Sequence, residues 1–291
     1  MATAAAAPIA TEPLVVERHR GFWQRWYRTP SFVAGLVIIG IMVSMAALAP
    51  VIAPYNPNHQ DLTQLLQGPS SKHWLGTDNL GRDVWSRMLY AARVDLQVAF
   101  LAVCFPFIIG TVLGCISGFY GGWADVGVMR FVDVVVAFPF YVLIIAMVFV
   151  LGPGTRNIYI AITLVGWVSY ARILRGEILV AKRQEYVLAA RGAGFSDARI
   201  VMRHLLPNVI TQAIVFAMSD IVLDLLAIVT LGYLGLGIQP PTADWGTMIA
   251  DGEQFLTTHW QLSTFPGVAV VIVGLGLSLL GDGLADLLRP E

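Results

Sequence analysis

Six mostly apolar stretches, about 32–53, 95–118, 134–152, 157–175, 209–235 and 264–284, dominate the chain and limit what it can become. A membrane-spanning helix needs about 20 such residues, and backbone that is not internally hydrogen-bonded cannot face lipid. Each stretch therefore predicts a helix. Only 13% of the 291 residues are charged, against roughly 25% in soluble domains. The fold class that follows is an all-α polytopic membrane protein with six transmembrane helices.

Orientation follows from where Lys and Arg fall. With the N-terminus inside, the inner side collects Arg18, Arg20, Arg25, Arg28, Arg130, Arg172, Arg175, Lys182, Arg183, Arg191, Arg199, Arg203 and Arg289. The outer side holds Lys72, Arg82, Arg87, Arg93 and Arg156. That is 13 of the 18 basic residues inside, which predicts N-in, C-in. Trp23, Trp26 and Tyr27 suit the inner interfacial belt.

The first apolar stretch is too long for a typical signal core, and Pro50 follows the cleavage-like Ala47-Leu48-Ala49, so it reads as a retained anchor. Cys104 and Cys115 share one predicted helix. Eleven residues of helix rise about 16 Å, too far for a disulfide, so both read as thiols. The net charge of −1 gives no reason to expect nucleic acid. His19, His59, His73, His204 and His259 are dispersed outside the spans, so no metal site is expected. A P-loop needs Gly-Lys-Ser/Thr. The two lysines follow Ser71 and Ala181, so this chain supplies no such nucleotide site.

The basic inner loop, 176–208, carries the clearest local pattern. Glu177 to Arg191 has good helix formers and no proline, and Gly192 and Gly194 punctuate its end. Ser196 and Asp197 can cap a second short helix, which Pro207 is expected to end. A helix-turn-helix knob between two spans suits docking on a soluble partner; an amphipathic connector is the alternative. Leu188-Ala189-Ala190, Gly194, Leu206 and Pro207 have the spacing of the EAA loop of importer-type ABC permeases, and Glu185 through Asn208 resembles the dipeptide, oligopeptide and nickel branch. The triplet's usual glutamate is Leu188 here.

Further stretches carry the same resemblance. Trp74 to Val84 is similar to the branch's outer-face signature. Gly118 to Trp123, with Met129, Arg130 and Asp133, is similar to its first inner loop. Leu234 to Pro241, with Trp245-Gly246, is similar to its last outer loop. Gly281-Asp282 and Asp286 also fit, although Leu288-Arg289-Pro290 replaces the usual Asp-Pro-Arg ending. The whole resembles the second permease of the pair in a type I ABC importer.

That resemblance implies a permease subunit that forms, with a homologous second permease, the path for short peptides into the cytoplasm. It implies two ATP-binding subunits, which hold ATP and Mg, an extracytoplasmic peptide-binding protein, a bacterial inner-membrane location, and no catalytic residue or cofactor in this chain. The parts are then a cytoplasmic segment (1–31), an anchor (32–53), an extracytoplasmic loop (54–94), a five-helix core (95–285) with the coupling loop (176–208), and a tail (286–291). Glu185, Leu188, Ala189, Ala190, Gly194, Leu206 and Pro207 are the expected ATPase-coupling residues. The same importer type carrying glutathione or a nickel complex is an alternative cargo reading.

Two further features come from the residues themselves. Gly110, Gly114 and Gly118 recur every four residues, a spacing that lets helices approach closely. Asp220 and Asp224 lie one turn apart inside the fifth span. Ionisable groups at that depth mark a pathway or a partnered site. Lining of the translocation path, a seam between permeases, and proton coupling are the three readings. The third would make the chain a secondary transporter.

Overall fold

The computed structural model describes residues 26–288. The expectations placed on Arg18, Arg20, Trp23, Arg25, the Arg28 side chain and Arg289 lie outside the described residues. Within the described residues eleven α-helices follow one another: α1 (Pro30–Ala47), α2 (Ala49–Ile52), α3 (Val84–Tyr120), α4 (Gly122–Val136), α5 (Phe140–Leu151), α6 (Thr155–Ala181), α7 (Glu185–Gly192), α8 (Asp197–Arg199), α9 (Leu206–Tyr233), α10 (Trp245–Glu253) and α11 (Gln261–Leu288). Among the described residues, five helices are long and apolar enough to cross a membrane, or six if the bent pair α4 and α5 counts as one span.

That pair is where the expected span 134–152 differs. Helix α4 stops at Val136, α5 starts at Phe140, and their axes meet at 88°. Pro139 lacks an N–H and disfavours helical geometry at Phe138, which favours the break here, although Pro106 and Pro266 are each carried inside a helix, α3 and α11. Pro207 behaves oppositely. Instead of ending a helix, it lies at the start of α9, inside a helical run that begins before it. A π-helical turn, Ile200–Leu205, runs directly into α9 and keeps Leu206 helical. Helix α3 also begins earlier than expected, at Val84, because the Asp83 carboxylate caps it by accepting from the Ser86 N–H at 2.8 Å.

Glycines set the closest packing. A Cβ built on Gly110 would strike the Trp167 carbonyl and Tyr170 Cβ; one on Gly114 would lie 2.8 Å from the Ala171 carbonyl oxygen, and one on Gly118 3.0 Å from Ile178 Cβ. The four-residue stripe is therefore the seam between α3 and α6, as its spacing predicts. On the opposite face of α3, Phe105, Ile108 and Val112 are exposed, as lipid-facing side chains are. Helix α1 docks on α11 by the same device: Gly35 meets the Leu280 and Gly276 backbone, and Gly283 meets Phe32. Helix α9 packs among α3, α6, α10 and α11. The core between them includes Ile144, Ile162, Leu174, Leu225, Ile228 and Trp245, each at most 1% exposed.

Candidate functional site

The inner loop is shorter than its expected range because α6 continues to Ala181. Helix α7 ends in a Schellman motif. The Gly194 N–H bonds to the Arg191 carbonyl, and the Phe195 N–H to the Ala190 carbonyl, with Gly194 at φ +77°. A Cβ on Gly194 would meet nothing within 4 Å, so glycine is needed there for its backbone angle alone.

The helical phase of α7 separates the expected coupling residues. Glu185, Leu188 (53% exposed), Ala189 and Gly194 face outward, whereas Ala190 is buried beside Val187. Leu206 is half-buried and Pro207 exposed. Phe195 stacks on His204, and the Arg199 guanidinium lies 5.2 Å from the Phe195 ring centre. These contacts brace the turn after α7.

Two cations tie the loop to α3. The Lys182 ammonium donates to the Gly118 carbonyl at 2.7 Å and to that of Phe119 at 3.4 Å. The Arg191 guanidinium lies 5.6 Å from the centre of the buried Phe119 ring. Nearby, Arg175 grips Asp125 with two N–H donors, and the Ser117 hydroxyl donates to the same carboxylate. An open cleft of about 540 Å³ beside this network is lined by Asp133, Arg172 and Arg175.

Asp220 and Asp224 point into the chain's own interior, 7% and 1% exposed. Asp220 accepts a 2.6 Å hydrogen bond from the Tyr170 hydroxyl. Neither oxygen of Asp224 has a partner among the described residues. Tyr141 of α5 donates to the Leu223 carbonyl at 3.2 Å on the adjacent turn of α9. Tyr141 of α5 thus reaches the turn of α9 that carries the acids.

The outer face forms a second ordered lobe. Asp78 accepts from the backbone of Leu80 and Arg82 and from Arg82 Nε at 2.6 Å. Arg82 reaches on to Asp251 of α10 at 3.3 Å, joining the two outer segments. Arg87 is buried and donates to the Pro57 carbonyl. His73 contacts the capping Asp83 carboxylate at 2.8 Å and stacks on Tyr55. Asp244 caps α10 by accepting from Thr247; burial pushes its carboxyl above the usual range, and the Thr247 bonds oppose the shift. Neither Asp95 nor Asp244 belongs to a motif singled out above. The spacing Asp244-x-x-Thr247 ahead of an apolar run was the signal available for the second. Among the described residues, no three His, Cys, Asp or Glu side chains are grouped to hold a metal.

A family model for the binding-protein-dependent transport system inner membrane component matches residues 110–291, and one for the N-terminal transmembrane domain of oligopeptide transport permease C matches 19–69. The dipeptide transport system permease protein DppC of Alkalihalophilus pseudofirmus is 39% identical, over 89% of this chain and 85% of that protein. The glutathione transport system permease protein GsiD of Pectobacterium atrosepticum is 37% identical, over 98% and 97%. The probable D,D-dipeptide transport system permease protein DdpC of Escherichia coli is 39% identical, over 90% and 88%. In fold, the chain is similar to a chain of the inward-facing MetNI methionine ABC transporter, with a TM-score of 0.55 and 19% identity over 70% of this chain and 97% of that one.

Proposed function

The chain belongs to the family of binding-protein-dependent transport system inner membrane components, and on that premise we propose that it conducts short peptides across the inner membrane, paired with a homologous permease. Two separate ATP-binding subunits drive the pair from the cytoplasm, and an extracytoplasmic binding protein delivers cargo. The observation that carries this reading is the shared cargo class of its near full-length relatives. Their names specify dipeptides, D,D-dipeptides and glutathione. Glutathione is itself a tripeptide, so the common denominator is a short peptide rather than a metal complex.

Motion enters through the outward residues of the inner loop. Leu188, Ala189 and Gly194 meet an ATPase, while Val187 and Ala190 hold the loop to the permease. The exposed Leu188 side chain makes that contact apolar. ATP biases the inward and outward forms only by binding one better than the other. Asp220 and Asp224 join the path when the α4–α5 pair swings away from α9, and the cleft holding Asp133 and Arg172 is its cytoplasmic end.

The test is uptake of labelled di- and tripeptides by cells carrying the complete system. Uptake is expected to stop when the partner ATPases lose their P-loop lysine and to persist when the proton gradient is collapsed with ATP held constant. Loss of uptake on collapse alone would overturn the reading in favour of a proton-coupled carrier.

A further inference from the structure

We propose that α3 is the member that joins the inner loop to the outer lobe, and that Phe119, held by Arg191 and Lys182, is the positioning residue at its inner end. The inference rests on the ATP-driven importer reading and adds to it a specific mechanical connection.

The length of α3 makes the connection available. A helix of 37 residues is about 55 Å long, well beyond the ~30 Å hydrocarbon core. Both ends therefore emerge from the membrane, and each is gripped by a different piece of chain.

At the inner end, the last carbonyls of a helix lack intrahelical donors. The Gly121 N–H serves the Ser117 carbonyl, and Lys182 serves those of Gly118 and Phe119. Arg191 sits over the Phe119 ring immediately after the Leu188-Ala189-Ala190 triplet. A shift of α7 must therefore pull on the end of α3.

At the outer end, Asp83 caps the helix, Arg87 holds the Pro57 carbonyl, and Asp95 accepts from the Trp245 N–H. Both outer segments are thus fastened to one helix. Over the inner part of α3 the seam at Gly110, Gly114 and Gly118 presses it closely against α6, and Gly166 of α6 meets Pro106. Close-packed interiors transmit strain rather than dissipating it. A binding protein seated outside and an ATPase seated inside act on the same continuous helix, which carries Pro106 in its interior.

The test uses the complete complex reconstituted with its ATPases and binding protein in liposomes. The readout is the ratio of ATP hydrolysis with loaded binding protein to hydrolysis without it, together with peptide uptake. Arg191→Gln and Phe119→Leu are expected to lower that ratio about threefold or more, the scale of a cation–π contact. Arg191→Lys, which keeps a cation over the ring, is expected to fall less. Arg191 is exposed, so its variants decide the matter even where Phe119→Leu fails to assemble. An unchanged ratio in Arg191→Gln, or equal losses in the Gln and Lys variants, would overturn the inference. A wild-type complex showing neither stimulation nor uptake would instead overturn the importer reading beneath it.

Discussion

Asp95 accepts a 2.8 Å hydrogen bond from the backbone N–H of Trp245, 150 positions later in the chain. Both residues are fully buried. The bond fixes the start of α10 against α3 and so sets the register of the whole last outer segment. Asp95 Oδ1 and the Trp245 indole N–H have no partner among the described residues, which leaves this one bond as the polar link at the junction.

Asp95→Leu removes the acceptor and leaves the Trp245 N–H buried and unserved, at a cost of about 1–3 kcal/mol. Asp95→Asn keeps a carbonyl acceptor and is expected to cost less. Thermal denaturation of the purified complex, with limited proteolysis between α9 and α11, measures both. Equal stability of Asp95→Leu and wild type would show that the bond does not hold the segment.

The α3–α6 seam predicts a graded series. Gly110→Ala places its methyl against the Trp167 carbonyl and is expected to be the most damaging, at about 1–3 kcal/mol. Gly118→Ala meets only Ile178 side-chain and Arg175 carbonyl atoms, none nearer than 3.0 Å, and is expected to be mild. Melting temperatures of the two variants should fall in that order; the reverse order would contradict the packing.

At Gly194 the constraint is the backbone angle of +77°. Gly194→Ala is expected to cost about 1–2 kcal/mol of left-handed strain, and Gly194→Asn less, since Asn tolerates that region. Uptake and co-purification of the ATPases should decline in Gly194→Ala and Gly194→Asp while the spans still insert. Normal uptake in Gly194→Asp would remove the turn from the coupling contact.

Asp220 and Asp224 yield a test that depends on state. Cysteines at either position, in a background lacking Cys104 and Cys115, are expected to resist a water-soluble thiol reagent at rest, because both positions are buried. They are expected to react during turnover. Protection in every state of an intact complex would assign both acids to structure alone.

Much of this organisation was legible in the sequence because lipid imposes it. Helices at 30–47, 155–181, 206–233 and 261–288 follow from hydropathy, and the stripe at Gly110, Gly114 and Gly118 follows from its spacing. The break at Pro139 was also written there, but a continuous apolar run concealed it, since hydropathy is blind to direction. Pro207 misled for the opposite reason: a π turn supplies geometry that the pre-proline rule does not anticipate. The inward turn of Ala190 depends on the phase of a helix only eight residues long. The bond from Trp245 to Asp95 joins distant segments, and no local pattern records it.

The docking of α1 on α11 has a consequence for synthesis. Gly35 leaves the ribosome roughly 240 residues before Gly276 and Leu280, the backbone it fits against. At about 5–20 residues per second, the first helix waits through some tens of seconds of translation for the last. During that interval its notched face must be lodged in lipid or held by the insertion machinery, so the permease closes on itself only as its final helix enters the membrane.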